Sequence, residues 1–221
     1  RGLGDVYKRQ YYHRCQTCVV ILIVFRQFLE YRHSTSICTG TCIGPNYDTA
    51  HTRFRVSIIS PMNQTEEASL DTLTWKPDVL GKNYEHARLQ LDKDPDTGHA
   101  PEAVLIRDVR SSTSNKPAVL WVHGMSDYFF HNHVADEFVE RGYPFYALDL
   151  RRCGRAHMKG QRFHFTLDMR RYFEELTTAL RLIGREHGSV VVLAHSTGGL
   201  IVPLWADHFR RESPAGHAPV S

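Results

Sequence analysis

Ser189–Trp205 reads SVVVLAHSTGGLIVPLW, and its interpretation decides the fold. Val190–Leu193 is a run of β-branched and leucine residues, the composition of a parallel strand buried on both faces. Ala194-His195-Ser196-Thr197-Gly198 follows as a tight turn, and Gly199–Phe209 as an apolar helix. Small residues at Ala194, Gly198 and Gly199 leave room around one serine. Such a turn strains its central residue and directs the hydroxyl out of the sheet. The helix that follows points its unpaired N–H groups and positive dipole end back at the turn, where an oxyanion would develop. This strand–turn–helix setting is what gives a Gly-x-Ser-x-Gly-like motif its meaning. Ser196 is therefore the candidate nucleophile. The competing reading makes it a helix cap in an ordinary strand–helix connection.

Upstream, the same alternation of strand and helix repeats. Tyr84–Leu91 and Glu102–Val109 read as two strands around the polar turn 92–99. Pro117–Val122 is a buried strand ending at His123-Gly124, where a glycine lets the backbone approach a substrate closely. Met125, Tyr128, Phe129 and Phe130 form an aromatic-rich loop suited to an acyl chain or to packing beneath the next helix. Val134, Ala135, Phe138 and Val139 recur at helical spacing and stop at Arg141-Gly142. Pro144–Leu150 is a further strand. Met169, Tyr172, Phe173, Leu176, Leu180 and Ile183 predict an amphipathic helix, with Thr166 or Asp168 as its cap. Pro203 removes a hydrogen bond from the last helix and predicts a bend.

His123-Gly124, Asp149-Leu150-Arg151-Arg152-Cys153-Gly154-Arg155 and Ala194-His195-Ser196-Thr197-Gly198 each follow a strand. In this order and spacing they resemble the α/β-hydrolase fold, and within it the monoacylglycerol lipase, lysophospholipase and serine aminopeptidase group. The resemblance runs from Tyr84 to the C-terminus. It implies a mostly parallel sheet with flanking helices, truncated before the later strands and cap. Residues 62–221 are then the N-terminal part of such a domain. It implies Ser196 as nucleophile, the N–H groups of Met125 and Thr197 as oxyanion donors, and His123, Gly124, His195 and Gly198 as the supporting motif. For His123, a loop-orienting side chain is preferred over a direct catalytic role. Asp149 braces the loop after its strand and is not the triad acid.

Two positions depart from the pattern. Ala194 replaces the usual first glycine, and Arg152-Cys153-Gly154 stands where the group commonly has Gly-His-Gly. The group's chain order of serine, acid and histidine excludes His157 and His164 and puts the triad acid and histidine beyond Ser221. The expected activity is cleavage of a small-molecule or lipid-like carboxylic ester through an acyl-serine, incomplete in this chain, with no cofactor. The alternatives are a serine aminopeptidase-type peptidase and a non-catalytic binding module on the same fold.

Composition narrows the field further. At 221 residues, 42% hydrophobic and 23% charged, the chain is of ordinary globular make-up and fits one domain. A formal charge of +3 is too small to argue for nucleic acid or an anionic membrane as partner. The longest apolar run, Cys18–Phe25, falls well short of the ~20 residues of a membrane helix, and no cleavage site follows it. The default expectation is a cytoplasmic protein.

The leader, residues 1–61, reads differently. Asp5-Val6-Tyr7-Lys8-Arg9-Gln10 resembles the translation of a transposon-end sequencing adapter, and the text to residue 61 lacks sustained periodicity. Residues 1–61 are expected to be non-native or disordered, with native coding from Met62. Cys15, Cys18, Cys38 and Cys42 have C-x2-C and C-x3-C spacing, compatible on paper with zinc. No glycine-rich knuckle or polar second shell accompanies them, so no metal is expected.

Overall fold

The computed structural model describes residues 20–26, 36–40, 73–95, 97–111 and 114–212. Its centre is a mixed sheet of eight strands: β1 (Val20–Arg26), β2 (Ser36–Gly40), β3 (Lys76–Pro77), β4 (Tyr84–Gln90), β5 (Glu102–Asp108), β6 (Ala118–Val122), β7 (Phe145–Asp149) and β8 (Ser189–His195). The order across the sheet is β2-β1-β8-β6-β7-β5-β4-β3. Parallel pairing is confined to β8, β6 and β7, so the sheet is less parallel than the sequence suggested. β5 runs antiparallel to β7 and β4 to β5.

Helices α1 (Asn132–Glu140), α2 (Phe173–His187) and α3 (Gly198–Glu212) cover the two faces. The period-two alternation of β6 decides which side chain goes where. Leu120 and Val122 enter a layer with Leu176, Leu180, Ile201 and Trp205 of α2 and α3. Val119 and Trp121 enter the opposite layer, with Phe129, Ala135 and Phe145. Trp205 is fully buried and donates its Nε1–H to Thr177 Oγ1 at 2.9 Å, locking α3 onto α2.

Three boundaries differ from the sequence reading. Ala194 and His195, expected in the turn, complete β8, because the ladder with β6 continues to the pair Val122–Ala194. Met169–Tyr172 is a single 3-10 turn before α2, started by Asp168 accepting the Arg170 N–H. The apolar run beginning at Cys18, unassigned by periodicity, supplies β1. β1 lies antiparallel along β8 from Val20 opposite His195 to Arg26 opposite Ser189. Cys15, Cys18 and Cys42 lie outside the described residues, and Cys38 is placed only as backbone of β2.

Candidate active site

Register brings the candidate residues together. Val122 pairs with Ala194 on one side and Leu148 on the other, so β6, β7 and β8 end at the same edge of the sheet. His123-Gly124, Asp149-Leu150 and His195-Ser196 therefore emerge side by side. The carboxyl ends of parallel strands are the usual position for a ligand site in an open α/β sheet.

Ser196 occupies the single step between the end of β8 and Thr197, before α3 begins at Gly198. Its φ is +52°, in the left-handed region that costs a non-glycine residue energy, and it is exposed. Close packing on both sides holds it there. A Cβ on Gly124 would stand 2.8 Å from Ser196 Cβ, and a Cβ on Gly198 2.6 Å from the His123 carbonyl oxygen. Glycine at these two positions lets the turn after β6, the turn after β8 and the start of α3 share one small volume. Thr197 O accepts the N–H groups of Leu200 and Ile201 as the first turn of α3 closes. The leading N–H groups of that helix have no intrahelical acceptor.

His123 is a strut. Its Nδ1–H donates to Gly124 O at 2.7 Å, and its Nε2 accepts the Leu150 N–H at 3.0 Å, which fixes its tautomer. Both ring nitrogens are thereby committed to backbone groups. Asp149, fully buried, accepts the N–H groups of Phe129 and Arg155 and the Arg155 guanidinium. Arg155 also pairs with buried Asp78 ahead of β4.

The departure at Arg152-Cys153-Gly154 has its own solution. Arg152 takes φ +63°, a conformation natural to glycine. It is held by its guanidinium, which pairs with buried Asp94 and donates to Phe165 O. Arg151 reaches the other way, to Glu175 at 2.7 Å and Glu174 at 2.9 Å in α2. Burial pushes the Glu175 carboxyl upward against the pull of Arg151. Cys153 is buried, its thiol 3.0 Å from His164 Nδ1, and burial pushes its pKa up. Such burial favours the protonated thiol over the nucleophilic thiolate.

His157 and His208 are engaged elsewhere. His157 stacks on Phe163 at 3.6 Å and its Nε2 meets Gln161 O. His208 packs against Phe173, and Asp207 pairs with Arg211 along α3. Among the described residues no imidazole is hydrogen-bonded to Ser196. Sequence reasoning missed Asp78, Asp94, Asp127 and Glu175, which hold the loops around the serine. Only their burial, full for Asp78, Asp94 and Glu175 and partial for Asp127, distinguishes them from surface carboxylates, and burial leaves no local signal.

The strand order, with a helix launched from the turn after β8, makes this an α/β-hydrolase fold. Residues 113–218 match the family model described as serine aminopeptidase, S33. No curated protein matches the chain. Among solved structures, an acetyl xylan esterase from Paenibacillus sp. R4 is 15% identical, with a TM-score of 0.40 over 66% of this chain and 54% of that one. Acetyl xylan esterase 1 from Thermoanaerobacterium sp. JW/SL YS485 is 18% identical, with a TM-score of 0.30 over 57% of this chain and 41% of that one. The chain spans about half the length of these two structures or less. Among the described residues, no helix is long and apolar enough to cross a membrane.

Proposed function

We propose that Ser196 is the nucleophile of a serine hydrolase acting on small-molecule or lipid-like carboxylic esters. The observation that carries this is its φ of +52° at the head of α3 with the Gly124 backbone packed against it. A helix cap needs no such strain. In the proposed reaction Ser196 Oγ attacks the ester carbonyl carbon, its proton passes to a general base, and the carbonyl electrons move onto oxygen. The N–H groups of Met125 and Thr197 hold that oxyanion, each donor being worth roughly 3 kcal/mol. Collapse expels the alcohol, which takes up the proton, and water then cleaves the acyl-serine by the same steps. In this proposal the general base and its acid come from outside the described residues. The exposed Met125 side chain offers an apolar rim to the acyl group. The matched family's description favours a second reading, in which the scissile bond is that of an N-terminal peptide.

The test is hydrolysis of p-nitrophenyl esters and of aminoacyl-anilides, with fluorophosphonate labelling, on this chain and on one extended through the downstream reading frame. The proposal expects ester turnover in the extended chain that Ser196→Ala abolishes, and little turnover in the chain as it stands. Anilide turnover instead would favour the peptidase. An extended chain that binds esters without cleaving or labelling would be a binding module.

A further inference from the structure

Asp127 lies two residues past Met125, and the chemistry proposed above gives it no part. Its side chain is 16% exposed. Its Oδ1 accepts the next residue's N–H, that of Tyr128, at 2.9 Å. Its Oδ2 faces His195 Nδ1 at 3.8 Å. Burial acts to raise the Asp127 pKa, but the contact with His195 and the nearby His131 and His123 imidazoles outweigh it and hold the group ionised below the usual range. A carboxylate set this deep among imidazoles is costly unless they compensate it.

His195 is the residue immediately before Ser196. Its ring lies nearly parallel to that of Trp121 in β6, with an interplanar angle of 13° and centroids 6.2 Å apart. A Cβ on Gly124 would stand 3.3 Å from its Nδ1. That nitrogen therefore sits at the seam between the loop carrying Met125 and the turn carrying Ser196. Within the loop, Ser126 is strained at φ +57°, bracketed by Gly124 on one side and Asp127 on the other. Without a tether after Ser126, the loop would relax and carry the Met125 N–H away from the serine.

We propose that the Asp127–His195 contact is a clamp that fixes the distance between the Met125 and Thr197 N–H groups, making Asp127 a positioning residue for the oxyanion hole. The inference rests on Ser196 being the nucleophile. Charge contacts in a site without substrate are often longer than in the reacting complex, and 3.8 Å is such a starting distance.

Two substitutions separate the clamp from the rest of the loop. Asp127→Asn keeps an acceptor for the Tyr128 N–H and removes the charge facing His195. His195→Phe keeps a ring on Trp121 and removes Nδ1. In the chain extended through the downstream reading frame, each should lower the maximal rate of fluorophosphonate labelling about tenfold with the half-saturating concentration unchanged, since small displacements of reacting groups cost rate before binding. The double variant should be no slower than either single one. Amide hydrogen exchange, followed by NMR, should quicken at Met125 in both single variants and stay unchanged in α2. Multiplicative effects on labelling, or unchanged exchange at Met125, would overturn the clamp. If the chain extended through the downstream reading frame shows no Ser196-dependent labelling, the nucleophile assignment fails and the exchange experiment alone decides the clamp. Should Asp127→Asn not fold, His195→Phe carries both measurements.

Discussion

The backbone of Gly124 lies directly against Ser196, so that a Cβ added to the glycine would stand 2.8 Å from the serine Cβ. Both neighbours are fixed: Gly124 O is bonded to His123, and Ser196 is pinned between β8 and α3. Gly124→Ala is expected to force the turns apart, costing about 1–3 kcal/mol as overpacking does. It should also remove any Ser196 reactivity. Urea unfolding and fluorophosphonate labelling measure the two effects. An unshifted midpoint would mean that the turns can separate freely.

The Arg151–Glu175 pair is as deeply buried as the neighbouring Arg152–Asp94 pair, with side chains 2% and 0% exposed. Glu175→Ala leaves the buried guanidinium with the partly exposed Glu174 and, at 3.8 Å, Asp94. A loss of about 3–5 kcal/mol is expected, the usual consequence of breaking one side of a buried pair. Arg151→Met with Glu175→Leu should recover much of it, because an apolar pair of similar volume carries no desolvation penalty. Comparing the unfolding midpoints of the single and double variants checks this.

Stability should fall as the medium is acidified from pH 7 toward pH 5. Burial pulls the pKa of His131, His164 and His187 below the ordinary 6.5. Below about pH 6.5 the unfolded chain binds protons that the folded chain refuses, so stability drops as pH falls through that value. The carboxylates held low, Asp78 and Asp127, act in a different window. Their contribution is present above about pH 4 and is lost only below it. Urea midpoints at pH 7.5, 6.5 and 5.5 test the histidine window. His187→Gln, which can still bond Tyr146 OH, should flatten the slope.

The leader makes a separate prediction. If residues 1–61 are foreign to the domain, a chain starting at Met62 should keep the far-UV signature and cooperative unfolding of β3 to α3. It would lose β1 from the edge of β8. An unpaired central-type edge invites strand addition, so this shorter chain should self-associate more readily. Sedimentation of both chains at matched concentration is the measurement. Loss of cooperative unfolding would make the leader an integral part of the sheet.

How much of this was legible beforehand depends on how local the signal is. β6 and β7 were read to within a residue because uninterrupted apolar runs need nothing beyond their own side chains. α2 was visible in its spacing, but its first turn is 3-10, a distinction that periodicity does not resolve. β1 was missed as a structural element because a strand run without alternation is indistinguishable from other short apolar runs until a partner edge is known.

The sequence by itself determined the strand–turn–serine–helix unit, since glycine placement, β-branched runs and helix periodicity are properties of neighbouring residues. It also determined that His123-Gly124 and Asp149 end strands. Tertiary structure alone decided that these ends lie side by side, because the order β8-β6-β7 follows from crossovers and not from local preference. It alone decided that Arg152 occupies a left-handed position secured by Asp94, 58 residues away. The same is true of Asp127 meeting His195. A charge becomes structural only once burial has removed the water that would otherwise screen it, and burial is a property of the whole fold.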